Sequence, residues 1–523
     1  MIAVLLVALC VAPGKVSSQA GGLNRVVYGL TFQPSGFDPH IHASSELGIP
    51  LRSVYDTLVY RDPATQAFVP GLAESWAISS DGRDYTFNLK RGVLFHDGTP
   101  FNAASVGANL DRITNPETGS QKALFLLGTY QGYTVVDDYT IRVTLSEPYS
   151  PLLDSFSQVY LGIASPAALA EFSNERYQFH QVGTGPFVFV EYVPGDRLII
   201  RRNPDYAWGP SFYSPEGVTS VNEVEFRFYT DPAARALALE SGEVDIMGEL
   251  LPLDARTLSA SSDEVAVKPV TIPGQPLQFL MNASRSPTDE LVVRQALIVG
   301  ANREAITDAI FQRFSPIAWA PLSSTTPYYN ADLQGAYSFD LSAARDALAS
   351  IGYGDSNGDG ILERNGVDLE VRLIAPTWGS IPEVAQLLQA QWRDVGIRTV
   401  IEQVPSRNAL FEEVDTGEYN LVAWYEFGTD PVFLSRYFSG TGDLNWTGFN
   451  SPELDGLLAE AARQSDENAR RSLYYQAQLR IMEQALVLPV RDYVNLNGYR
   501  RRLNETAFDA YGWFPLIPNM SVS

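Results

Sequence analysis

Apolar and polar positions alternate with period two at residues 85–89, where Tyr85, Phe87 and Leu89 share one face and Thr86 and Asn88 the other. That pattern predicts a strand with one buried side. Residues 140–145 repeat it, and an apolar strand at 26–30 runs into the loop Phe32-Gln33-Pro34-Ser35-Gly36-Phe37-Asp38-Pro39. The most regular stretch is 369–439. An apolar strand at 369–374 is followed by a loop at 375–379, and Ser380 then stands three residues before Glu383, the spacing of a capping box, with Pro382 in the first turn. Val384, Leu387, Leu388, Trp392 and Val395 fall on one helical face, and Gly396 ends the helix. Next come a strand at 399–401, a helix at 406–415, a strand at 420–424, a loop at 425–429 and a helix at 432–438 that Asp430-Pro431 starts. Strands alternating with helices of these lengths predict an α/β class with a parallel sheet and crossovers. The loops at 375–379 and 425–429 leave the carboxyl ends of their strands, the edge of an open α/β sheet where ligands bind.

The chain has 523 residues, enough for two to four structural units. Its 45% hydrophobic and 19% charged residues make an ordinary globular composition. Acidic residues outnumber basic ones 61 to 37, for a net charge of −24, which excludes a basic nucleic-acid footprint. Four His and one Cys leave no material for a Cys/His zinc cluster, an iron–sulfur site or a disulfide framework. Neither GxxxxGK[ST] nor GxGxxG occurs, so no cofactor is expected. At the N-terminus, the apolar run 2–12, the break at Pro13-Gly14 and the small residues of Ser18-Gln19-Ala20 predict a signal peptide over 1–20, cleaved after Ala20. Its n-region lacks Lys and Arg. Cys10 follows Leu9 rather than a small residue, so lipid attachment there is not expected. The mature chain is expected to be periplasmic or otherwise extracytoplasmic.

Several blocks together resemble the family 5 extracytoplasmic solute-binding proteins of ABC importers, the peptide-, dipeptide- and nickel-binding group. They are Gly71-Leu72-Ala73-Glu74-Ser75-Trp76, the run from Asp84 to Val93, Phe95-His96-Asp97-Gly98-Thr99-Pro100-Phe101, Val182-Gly183-Thr184-Gly185-Pro186-Phe187, Arg202-Asn203-Pro204-Asp205-Tyr206, Ser241-Gly242-Glu243-Val244-Asp245-Ile246, Val293-Arg294-Gln295-Ala296 and Gly448-Phe449-Asn450-Ser451-Pro452-Glu453-Leu454-Asp455. The resemblance covers about 24–505 and is carried by the number and order of the blocks. It implies a two-lobed periplasmic-binding-protein type II fold with an extra inserted domain, three domains by sequence. Domain I is expected at 24–50, 181–275 and 485–523, domain II at 51–180 and domain III, the distal lobe, at 276–484. It also implies a protein that is not an enzyme, acts as a monomer and hands its ligand to the membrane permease subunits of an ABC importer.

The candidate ligand-binding residues are Phe32, Gln33, Trp378, Trp424, Tyr425, Glu426 and Phe427. Peptide-binding relatives carry Trp-x-x-Asp in the second loop, the Asp pairing with the peptide's ammonium; here Phe427 takes the Asp position and Glu426 stands beside it. Dipeptide-binding relatives place an Arg near 375–380, where this chain has Pro376-Thr377-Trp378-Gly379-Ser380. With both charged anchors displaced, the expected ligand is neutral or held by its backbone or hydroxyl groups, an oligopeptide first and an oligosaccharide second. A secreted hydrolase using paired carboxylates is the distant alternative. Asp355, Asn357 and Asp359 begin like a calcium loop, but its twelfth position is Gly366, not Glu. His40 and His42 are too few for a metal site, and His96 belongs to a turn.

Overall fold

A computed structural model describes residues 24–213, 219–504 and 506–523. The expected signal peptide and Cys10 lie outside the described residues. Three main sheets organise the chain. The first has seven strands, in the order Val265–Thr271, Val494–Arg500, Ile246–Met247, Arg25–Leu30, Glu223–Phe228, Arg197–Arg202 and Phe187–Val193. It thus collects the first, middle and last parts of the chain. The second is a four-stranded antiparallel sheet of Ala73–Ile78, Asp84–Leu89, Thr140–Leu145 and Tyr130–Asp137. In Asp84–Leu89 the alternation holds, with Tyr85, Phe87 and Leu89 buried. The third has five strands, in the order Arg398–Val404, Glu370–Pro376, Leu421–Trp424, Leu277–Met281 and Val487–Arg491.

The βαβ reading of 369–439 is seen in this third sheet. Glu370–Pro376 runs parallel to both Arg398–Val404 and Leu421–Trp424. The intervening helix Ile381–Val395 buries Val384, Leu388, Trp392 and Val395, and Gly396 closes it at φ +103°. The fully buried Trp392 donates from Nε1 to Leu297 O at 2.9 Å, anchoring the helix. The capping box is a correction. Ser380 sits at φ +58°, ψ +22°, and its side chain makes no cap bond, because a left-handed residue cannot aim its hydroxyl back at the first turn. Asp430, by contrast, caps as expected, accepting from Val432 N at 3.0 Å.

Val487–Arg491 pairs antiparallel with Leu277–Met281 in the five-stranded sheet, because every residue of that strand is buried there and the ladder satisfies its backbone. The chain therefore crosses between the seven- and five-stranded sheets at 272–276 and at 492–493. Hydrogen bonds also tie the four-stranded unit to the five-stranded one. Ser150 N donates to Ala462 O at 2.9 Å, and Thr429 Oγ1 donates to Asp154 Oδ1 at 2.6 Å.

Candidate functional site: a cleft where three units meet

Strand Leu421–Trp424 delivers Tyr425, Glu426 and Phe427 to the place where all three units converge. Three cavities adjoin there, and Glu426 and Phe427 line each of them. The first, of 520 Å³, is walled by Lys122, Phe125 and Tyr149 on one side and by residues 426–436 on the other. The second, of 440 Å³, opens between Trp378, Arg407 and the 424–427 loop. The third, of 170 Å³, reaches Tyr160, Trp513 and Phe514. A separate cavity of 720 Å³ lies at the seam around Arg61, Tyr328 and Arg470.

The loop is held from behind by the chain's own crossing between sheets. Gln275 N donates to Glu426 O at 2.7 Å, and Gly428 N donates to Pro273 O at 3.1 Å. Gly274, between them, has φ +137°, and a Cβ on it would stand 2.1 Å from Glu426 O. Only glycine permits that approach. The Phe427 ring packs on Tyr493 at 4.8 Å, Tyr425 at 5.2 Å and Trp513 at 5.4 Å, an aromatic floor that stiffens the loop.

The Glu426 carboxylate is aimed by a relay. Trp424 Nε1 donates to Tyr437 Oη at 2.8 Å, and Tyr437 donates to Glu426 Oε2 at 2.5 Å. Burial first, and then the Glu426 charge, push the Tyr437 phenol far above its ordinary range, so it stays a donor. Trp424 is 7% exposed and packs edge-on against Trp446 at 5.1 Å. It touches the second cavity while serving mainly to orient the relay. Burial pushes the Tyr425 hydroxyl up to about 12.

Behind the loop, Thr429 bonds Asp154, whose Oδ1 also accepts from Arg61 Nη2 at 2.8 Å. Asp430 pairs with Arg470 at 2.8 Å, both partners being buried. Outside the lining of the three cavities stands a different acidic pair, of which Glu46 is fully buried. Thr31 Oγ1 lies 2.7 Å from Glu46 Oε1 and 2.5 Å from Glu249 Oε2. A hydroxyl has one hydrogen to give, so the two contacts together call for a proton on one carboxyl. Burial, followed by the Glu249 charge, raises Glu46 to about 8. Glu249 in turn accepts from Tyr493 Oη at 3.0 Å, which links this pair to the crossing and to the Phe427 floor.

The cleft thus unites Trp378, Trp424, Tyr425, Glu426 and Phe427. It does not include Phe32, which is 57% exposed, or Gln33, which lies against the Tyr192–Gly195 turn; neither lines the three cavities. The Asp355, Asn357 and Asp359 side chains accept from backbone N–H groups of Gly358, Asp359, Gly360 and Ile361 and so close their own turn. His40 is buried, binds Gly162 O at 2.8 Å, and is lowered to about 4 by burial and then by Arg112. Burial likewise lowers His96, bonded to Gly185 O, to about 4. Sequence reasoning missed Lys122, Arg407 and Tyr437, which reach the cleft from distant elements and carry no local motif.

The chain belongs to the bacterial extracellular solute-binding proteins, family 5, whose middle-region model matches residues 67–445. Its relatives are binding proteins rather than enzymes, and it serves transport of the ABC type. It is 28% identical to a heme-binding protein A of Haemophilus influenzae, over 95% of this chain and 92% of that one. It is 27% identical to a dipeptide-binding protein of Escherichia coli, over 97% and 95%. Among solved structures, NikA from Brucella suis in complex with Fe(III)-EDTA superposes with a TM-score of 0.83 at 23% identity, covering 95% of this chain and 100% of that one.

Proposed function

We propose that the chain is exported, captures an oligopeptide in the cleft at Glu426–Phe427 and delivers it to the permease of an ABC importer. The observation that carries the reading is the Glu426 carboxylate, oriented by Tyr437 at 2.5 Å and lining all three cavities above an aromatic floor. It stands one residue from the position that relatives of the peptide group use for their ammonium partner. A half-buried carboxylate held by a single phenol has acceptor capacity left for an N-terminal ammonium. This reading differs from the expectation of a cleft without an ammonium anchor. Lobes joined by two crossings close on their ligand, and the Thr429–Asp154 and Ser150–Ala462 bonds join the four-stranded and five-stranded units between which the ligand would sit.

Mass spectrometry of the ligand that co-purifies with the protein tests the reading. A peptide is expected, with calorimetric binding of that peptide weakened at least tenfold in Glu426→Gln. A sugar in its place, or unchanged affinity in the variant, overturns it. Small-angle scattering with the identified ligand should show a smaller radius than without it.

A further inference from the structure

The charges around the cleft do not cancel, and they do not follow the chain as a whole. Of the acidic side chains that line the cavities, Asp154 is met by Arg61 at 2.8 Å, Asp430 by Arg470 at 2.8 Å and Asp443 by Arg436 at 2.7 Å. Those three pairs are closed. Glu426 takes only a neutral phenol. On the cationic side, Lys122 and Arg407 make no ion pair and no hydrogen bond among the described residues, although Lys122 lines the first and third cavities and Arg407 the second. The Arg407 guanidinium carbon sits over Trp424 and Phe411, 5.3 Å from each ring, in the lining of the second cavity. Lys122 is half-buried, 5.8 Å above the Phe125 ring. Two open cations against one open anion leave a residual charge of +1 facing the cavities of a chain whose net charge is −24.

We infer that the cleft selects an anionic ligand, with Lys122 as the specificity-determining cation. The ligand class that matches the three open charges is a short peptide with one ammonium and two carboxylates, its ammonium at Glu426 and its carboxylates toward Lys122 and Arg407. The physical reason is desolvation. A cation taken from water into a half-buried wall without a partner is destabilised, and a carboxylate brought to it restores what burial removed. The Lys122 amine shows this demand, lowered from its ordinary value by burial that the Glu426 charge offsets only in part. Arg407 is exposed and more screened, so it contributes less. This differs from the neutral ligand that the displaced motif positions alone suggest.

The inference rests on the peptide reading for its choice of probes. Calorimetry with tri-alanine, Ala-Glu-Ala and Ala-Lys-Ala, on the full mature chain at pH 7, reads it directly. Ala-Glu-Ala is expected to bind at least tenfold tighter than tri-alanine, with Ala-Lys-Ala weakest. Lys122→Met should remove that preference, and Lys122→Arg should restore it. Because Lys122 makes no bond that the fold depends on, the melting temperature of Lys122→Met should match the parent's. Equal affinity for Ala-Glu-Ala and tri-alanine, or a preference unchanged in Lys122→Met, overturns the inference. If no tripeptide binds, the co-purifying ligand decides both readings: a ligand that is not a peptide overturns the peptide reading, while separately an anion that loses tenfold in Lys122→Met upholds the inference and a neutral or cationic ligand overturns it.

Discussion

The loops at 377–380 and 425–429 leave neighbouring parallel strands at the same edge of the same sheet, yet they are built differently. The first brings only Trp378 to the cleft and turns through left-handed Gly379 and Ser380. The second is bonded through Glu426 and Gly428 to the sheet crossing, through Thr429 to Asp154 and through Asp430 to Arg470. Topology supplies two equivalent positions. The hydrogen bonds made behind each loop decide which one joins ligand contact to the relation between lobes.

The largest expected effect comes from breaking the second loop's buried ion pair. Arg470→Ala leaves Asp430 uncompensated and should cost about 3–5 kcal/mol in denaturant unfolding. Gly274→Ala comes next. Its Cβ meets Glu426 O at 2.1 Å with φ at +137°, so the loop must move, and about 1–3 kcal/mol of stability should go with a large part of ligand affinity. Thr429→Val keeps the shape and removes one inter-unit bond; about 1 kcal/mol is expected, read as weaker closure in scattering. Trp378→Ala on the first loop should alter the melting temperature least, and its effect should appear in affinity alone. A large stability loss there would erase the contrast between the loops.

Buried groups outside the cleft respond to pH with opposite signs. Glu46 is raised to about 8, so the folded state holds its proton where the unfolded chain has lost it. Its stabilising contribution is full below the ordinary Glu range and is lost as pH rises toward about 8. His40 and His96, lowered to about 4, act the other way: stability falls as pH drops from the ordinary His range toward about 4. Urea unfolding across pH 5 to 8 should show the alkaline decline in the parent and its loss in Glu46→Gln.

Much of the distal sheet was legible because its signals are local. Strand 370–376, helix 381–395 with Trp392 inward, and Gly396 at its end follow from periodicity and one left-handed residue. Ser380 misled because the capping-box spacing fits a sequence whose backbone then takes the other hand. The cleft was half legible. Trp424 to Phe427 stand at a strand end and could be named from it. Lys122 comes from an element some 300 residues away in sequence, and nothing local marks it. Asp154–Thr429 spans 275 positions and exists only once the units pack. Nothing in the sequence marks Gly274 either, since its need for glycine comes from the approach of Glu426 O.

The surplus of 24 negative charges acts on a ligand before the cleft does. Beyond about 8 Å at physiological ionic strength that field is screened, and inside it a small anion approaching the protein is repelled. The opposed local charge is felt only at the mouth. Arrival and residence of an acidic ligand should therefore respond to salt in opposite directions, association quickening as the outer field is screened and dissociation quickening as the pocket's hold on the bound charge weakens. A stopped-flow titration over ionic strength separates the two.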